Sequence, residues 1–176
     1  LEANMAYASN YELAKSEGAM VTADDLRKRY GASDSENAGP LLQQLRAKWE
    51  TEPENLRHER RKAFQALLGV PWPKPKGTQI SLPSHEMQIK ALEESEKVVE
   101  GLDDVLSKPK CDFHYEWEHG ASLALPEFTF LKEAAQLCAA RGTVLANEGK
   151  AVEAAHKFRL ALHIGKLTGD TPCLFA

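Results

Sequence analysis

Apolar residues recur along most of this chain at intervals of three and four, the spacing of helices that bury one face. The pattern is sharpest from Cys138 to Leu162, which predicts two helices folded back on each other about a turn at Gly149. Small residues (Gly142, Ala154, Ala161) stand where the two rods must approach, and Leu145, Phe158 and Leu162 are expected to fill the space between them. The first rod should begin near Pro126 and reach Glu148, and the second should run from Lys150 to about Leu167.

Nearer the N-terminus, Ala3, Met5, Tyr7, Tyr11, Leu13 and Ala14 suggest a helix over 1–18 ending at Gly18. Thr22 then reads as a cap, with Asp25 at the capping-box position and Val21 poised to staple onto Leu26. Tyr30-Gly31 ends that short helix, whose acids lie in the first turn and whose Arg27, Lys28 and Arg29 lie in the last, as the helix dipole favours. Asp34 or Ser35 is expected to cap the next helix, with Pro40 tolerated in its opening turn and Leu41, Leu42, Leu45 and Trp49 as its stripe. Pro53 should break the rod before Leu56, Ala63, Phe64, Leu67 and Leu68 resume it. From Ser84 to Ser107 the stripe Ile89, Leu92, Val99, Leu102, Leu106 predicts one long helix, stopped by Lys108-Pro109.

Two stretches depart from this period. Pro71, Pro73, Pro75 and Pro83, with Gly77, preclude a continuous helix and favour an extended linker or loop over 69–83. In 111–118, Cys-Asp-Phe-His-Tyr-Glu-Trp-Glu, apolar and polar residues alternate, as in an extended segment with one buried face. The organisation read here is therefore N-terminal helices over 1–68, a Pro-rich linker over 69–83 and a C-terminal helical part over 84–176, together one all-α domain of six or seven helices. No repeat of fixed period extends beyond the one hairpin, so a long solenoid is not supported.

Composition changes this picture little. Net charge is -4, so the chain offers no field that would gather nucleic acid. No apolar run approaches the roughly 18–20 residues needed to cross a bilayer. The chain opens on Leu1, and Thr171-Pro172 followed by Cys173, Leu174 and Phe175 reads as the start of another helix. Both features suggest a longer polypeptide cut at each end. Cys111, Cys138 and Cys173 fit no disulfide framework, and Cys138 on an apolar stripe reads as a small buried hydrophobe.

Candidate chemistry is sparse. Asp112, His114, Glu116 and Glu118 would project from one face of the alternating segment, with His119 next to them. Carboxylates and imidazoles suit a divalent metal. Alternate residues of a strand stand about 6.6–7 Å apart, so two could share an ion only if the backbone bends. The simpler reading buries Phe113, Tyr115 and Trp117 and leaves the charges in water. His85-Glu86 lacks the second histidine of a zinc-protease helix, since residue 89 is Ile. Gly149-Lys150 lacks the hydroxyl residue of a phosphate loop, since residue 151 is Ala. Arg57, His58, Arg60, Arg61 and Lys62 form a basic cluster with Glu54 and Glu59 beside it, the composition of a solvated ion-paired face. His156 and His163 share a helix face but have no third ligand in view. No cofactor is implied.

The spacing of Gly142, Leu145, Gly149, Ala154, Phe158, Ala161 and Leu162 resembles one tetratricopeptide repeat, although Cys138 and Lys166 stand where that repeat prefers Trp and Pro. More broadly, three pieces resemble a bacterial family of helical proteins of unknown function. They are the Thr22-to-Tyr30 helix with Glu36-Asn37-Ala38-Gly39-Pro40-Leu41, the run Lys108-Pro109-Lys110-Cys111-Asp112-Phe113, and Phe130-Leu131-Lys132 with the hairpin and the Thr171-Pro172-Cys173-Leu174 restart. That resemblance implies an exported or membrane-anchored protein of the cell envelope, and it supplies no catalytic residues to carry over.

The expectation is then a non-enzymatic interaction or scaffold module with a protein or peptide partner. The alternative is a metal-dependent hydrolase using His114, Glu116, Glu118 and His119.

Overall fold

The computed structural model describes residues 12–13, 15–18, 22–69, 83–122 and 125–169. These residues form an all-α fold: α1 (Ala23–Tyr30), α2 (Gly39–Glu50), α3 (Glu54–Leu67), α4 (His85–Val98), α5 (Glu127–Asn147) and α6 (Ala151–Gly169), with 3-10 turns at Leu102–Ser107 and Trp117–Ser122. No β-strand occurs among them, and one isolated parallel bridge joins Asn37 to Lys110. Most of the expected 1–18 helix, the Val21 staple, the Pro-rich run and the Thr171 restart lie outside the described residues.

Local chemistry accounts for most of the helix starts and stops. Thr22 and Asp25 close a full capping box, in which the Thr22 hydroxyl accepts from the Asp25 N–H at 3.1 Å and the Asp25 carboxylate accepts from the Thr22 N–H at 3.1 Å. Pro53 precedes α3, fitting the expected break, because a proline tolerates the entry to a helix and not its interior. Ser84 caps α4 by accepting from the Met87 N–H. Gly149 turns the α5–α6 hairpin at φ +77, a conformation that a side chain would disfavour.

Three expectations are corrected. Neither Asp34 nor Ser35 caps α2; the helix begins at Gly39, and the Asn37 side chain accepts from the Gly39 N–H at 2.8 Å. The turn over 34–36 comes first because Asn37 and Ala38 are tied to the chain at residue 110. The 84–107 helix is two pieces, broken where Gly101 adopts φ +91. That break does not disturb burial, since Val99, Leu102 and Val105 all stay in the core. Leu162 does not fill the hairpin; it is 75% exposed, while Leu160 and Ile164 are the residues buried in the core.

Helix α5 is the axis of the fold, packing against α2, α3, α4 and α6. One apolar cluster unites Leu42, Trp49 and Phe64 with Leu92, Phe113, Leu131, Leu137 and Ile164, so it draws on both sides of the Pro-rich run. Where α5 and α6 approach most closely, a Cβ on Gly142 would stand 2.8 Å from the Phe158 ring.

The alternating 111–118 segment buries Phe113, half-buries Tyr115 and Trp117, and leaves His114, Glu116 and Glu118 exposed. Its backbone partner is the loop before α2: Ala38 N–H donates to the Lys110 carbonyl at 2.9 Å and Lys110 N–H to the Glu36 carbonyl at 3.2 Å. One bridge is too little to make a strand, so the rest follows an irregular path into the second 3-10 turn.

Candidate functional site

Among the described residues, two buried carboxylates gather polar groups inside the fold, and both are structural in geometry. Glu127 opens α5 and is buried there; it accepts from Tyr115 Oη at 2.7 Å and pairs with Arg46 at 3.2 Å. Two turns on, buried Glu133 accepts from the Trp49 indole at 2.6 Å and pairs with Arg61 at 3.2 Å. Arg60 lies with its guanidinium carbon 5.5 Å from the Trp49 ring centroid and forms an ion pair with Glu52. Burying a carboxylate is costly unless it is paired and hydrogen-bonded, and both of these are. They tie α5 to α2 and α3.

The same contacts neutralise the basic cluster of α3. Arg57 pairs with Glu54 at 2.6 Å, Arg61 with Glu54 as well as Glu133, and Lys62 with Glu59 at 2.8 Å. This leaves no concentrated positive field on that helix.

The four candidate metal ligands are dispersed into separate pairings. His114 Nδ1 lies 3.2 Å from Asp112, whose other carboxylate oxygen accepts from the His114 backbone N–H at 2.7 Å. His114 holds φ +55 there, uncommon for a residue other than glycine. His119 pairs with Glu116 at 2.8 Å. Glu118 turns away to an ion pair with Arg27 of α1, whose hydrogen bond holds its carboxyl below the usual range. Among the described residues, no three His, Cys, Asp or Glu side chains stand close enough to hold a metal ion. His156 meets Asp103 at 3.0 Å, and His163 meets the Lys108 carbonyl at 2.8 Å, so both brace α6 against the first 3-10 turn.

That turn also borders a small cavity of about 180 Å³ between Glu96, Asp103, Lys157, Leu137 and Cys138. Lys157 reaches Asp103 at 3.0 Å, and Arg141 reaches Glu96 at 3.3 Å. Burial alone would raise the Asp103 pKa, but hydrogen bonds from Lys157 and His156 outweigh it and hold the carboxyl below its ordinary value. At the cavity wall the Cys138 thiol is pushed up to about 12, chiefly by burial, and is no nucleophile at neutral pH.

Among the described residues, the outer side of α6 carries the two most exposed large apolar side chains. Val152 is 82% exposed and Leu162 is 75% exposed, with half-exposed Phe158 between them. An open groove runs beside them, lined by Ala151, Val152, Ala155, His156 and Arg159. The sequence reading missed this face because it assigned Leu162 to the hairpin interior; the Phe158 ring does lie against Gly142 of α5 while staying half-exposed. The position of Leu162 two residues from buried Leu160 was the available signal.

Among the described residues no helix is long and apolar enough to cross a membrane. No family model matches the chain, and no curated protein or solved structure matches it either. The tetratricopeptide and bacterial-family likenesses rest on sequence spacing alone.

Proposed function

We propose that this all-α domain is a non-enzymatic interaction or scaffold module that receives a protein or peptide partner on the outer surface of its C-terminal hairpin. The observation that carries this reading is the exposure of Val152 and Leu162 on the outer side of α6. Large apolar side chains gathered on one exposed face, rather than scattered singly, mark contact surfaces. A rigid backing helps, and α6 is anchored beneath by Leu160, Ile164 and Leu167.

The test is a photo-crosslinking residue placed at Val152 in the full chain, assayed in extract of the native host. One adduct of defined mass, lost on Leu162→Glu, is the expected result. Absence of any adduct, together with turnover of a substrate by the purified chain, would refute the reading. Elemental analysis of protein made without an affinity tag bears on the hydrolase alternative, since a stoichiometric divalent metal lost on substitution of His119 would revive it.

A further inference from the structure

We infer that the partner of α6 is an acidic amphipathic helix, lying along the face that carries Val152, Ala155, Phe158, Arg159, Leu162 and Lys166; this rests on the interaction reading above and names its partner class. The argument is one of charge as well as shape. Among the described arginines only Arg29 and Arg159 lack a carboxylate partner, and Arg159 lines the groove beside Val152 and Ala155.

The next cation on the face, Lys166, is exposed two turns further on and is likewise without an ion pair among the described residues. The one acid within α6 is Glu153, nearly opposite this face by helical geometry, and Glu148 before the helix is already engaged by Lys150 at 2.7 Å. Among the described residues the face is therefore apolar, with positive charge that no carboxylate meets, on a chain whose net charge is -4.

Ten residues separate Val152 from Leu162, about 15 Å of helix. A partner helix with apolar residues at i, i+3, i+7 and i+10 spans the same length and would cover both. Carboxylates flanking that stripe would meet Arg159 and Lys166, and an arginine beside an apolar anchor is a common source of binding energy. A second copy of this face would add Arg159 and Lys166 again and no carboxylate to meet them, which disfavours self-pairing. Two cations are few for attraction to an anionic bilayer, where each contributes only about 1 kcal/mol.

The experiment uses the full chain and a synthetic helical peptide carrying Leu at those four positions and Glu elsewhere on its flanks. Its counterpart has Lys in place of each Glu. Fluorescence anisotropy should show binding of the acidic peptide, at least tenfold weaker for Arg159→Glu and lost for Leu162→Glu. Both residues are exposed, so circular dichroism should find each variant folded. Arg159→Glu should in turn gain affinity for the basic peptide.

Equal affinity for the two peptides, or an unchanged affinity in Arg159→Glu, would overturn the assignment. So would Arg159-dependent binding to phosphatidylserine vesicles, or sedimentation showing self-association abolished by Leu162→Glu. Failure of both peptides while the Val152 adduct persists would sink the acidic-helix assignment and leave the interaction reading standing.

Discussion

The side-chain amide of Asn37 pairs with both backbone polar groups of Asp112: its Oδ1 accepts from the Asp112 N–H at 2.8 Å and its Nδ2 donates to the Asp112 carbonyl at 2.9 Å. The same Oδ1 accepts from Gly39 at the start of α2. One buried side chain thus ties the head of a helix to a loop 75 positions further along. A Cβ on Gly39 would run into the Asp112 carbonyl, so glycine is what permits the approach.

Asn37→Ala should cost about 2–4 kcal/mol, since it strands buried backbone groups at 39 and 112. Gly39→Ala should cost a comparable amount by pushing the two segments apart. Because both act on one clasp, the double variant should lose clearly less than the sum. Urea unfolding of the four proteins measures this, and strict additivity would show that no such clasp exists.

Gly142 and Phe158 oppose each other across the α5–α6 hairpin. Alanine at 142 should gain about 1 kcal/mol of helix propensity. It should lose more than that by displacing the Phe158 ring, for a net destabilisation near 1 kcal/mol. In a Phe158→Ala background the same substitution should become stabilising. A change of sign between the two backgrounds is the readout, and the same sign in both would refute the contact.

Glu133→Ala should destabilise by about 3 kcal/mol, because the buried Trp49 indole N–H would be left without an acceptor and Arg61 would keep only Glu54 of its two carboxylate partners. Glu133→Gln, which keeps an acceptor for the indole, should cost less than Glu133→Ala. Thermal melts of the two variants settle the order, and an equal loss would show that the carboxylate fills space without bonding.

The thiols make stability fall at alkaline pH. Burial pushes Cys138 to about 12, and burial with the Asp112 and Glu127 carboxylates does the same to Cys111. An unfolded thiol ionises near 8.5. Between those values the unfolded chain has released protons that the folded chain still holds, so raising pH favours unfolding. Urea midpoints should drop between about pH 9 and 11, and Cys111→Ala/Cys138→Ala should flatten that limb relative to the parent chain. A parallel drop in both proteins would assign the effect elsewhere.

Much of this fold is legible along the chain. The stripe Leu42, Leu45, Trp49 is buried, Thr22 and Asp25 cap, Pro53 breaks, and Gly149 turns. Each depends on neighbours within a few residues, where period and backbone preference act directly. The break at Gly101 escaped because Val99, Leu102 and Val105 keep a helical rhythm across it, and a single glycine is compatible with either path. The alternation correctly separates buried from exposed side chains over 113–118, though not at largely covered Asp112, and it does not yield a strand, since strand formation needs a facing ladder that the loop before α2 cannot extend.

The candidate site was legible only as composition. Asp112, His114, Glu116, Glu118 and His119 are close in sequence, but whether they converge depends on Arg27 and on the twist of one loop. By itself the amino-acid order determined most helix starts and stops, at Thr22, Pro53, Ser84 and Gly149, and most of the stripes they present, because those choices are made over a turn or two of backbone. The tertiary structure alone decided which acid meets which base, that Asn37 secures Asp112, and that Leu162 faces outward. Those outcomes depend on which elements lie within a few ångströms of one another, and separation along the chain carries no record of that.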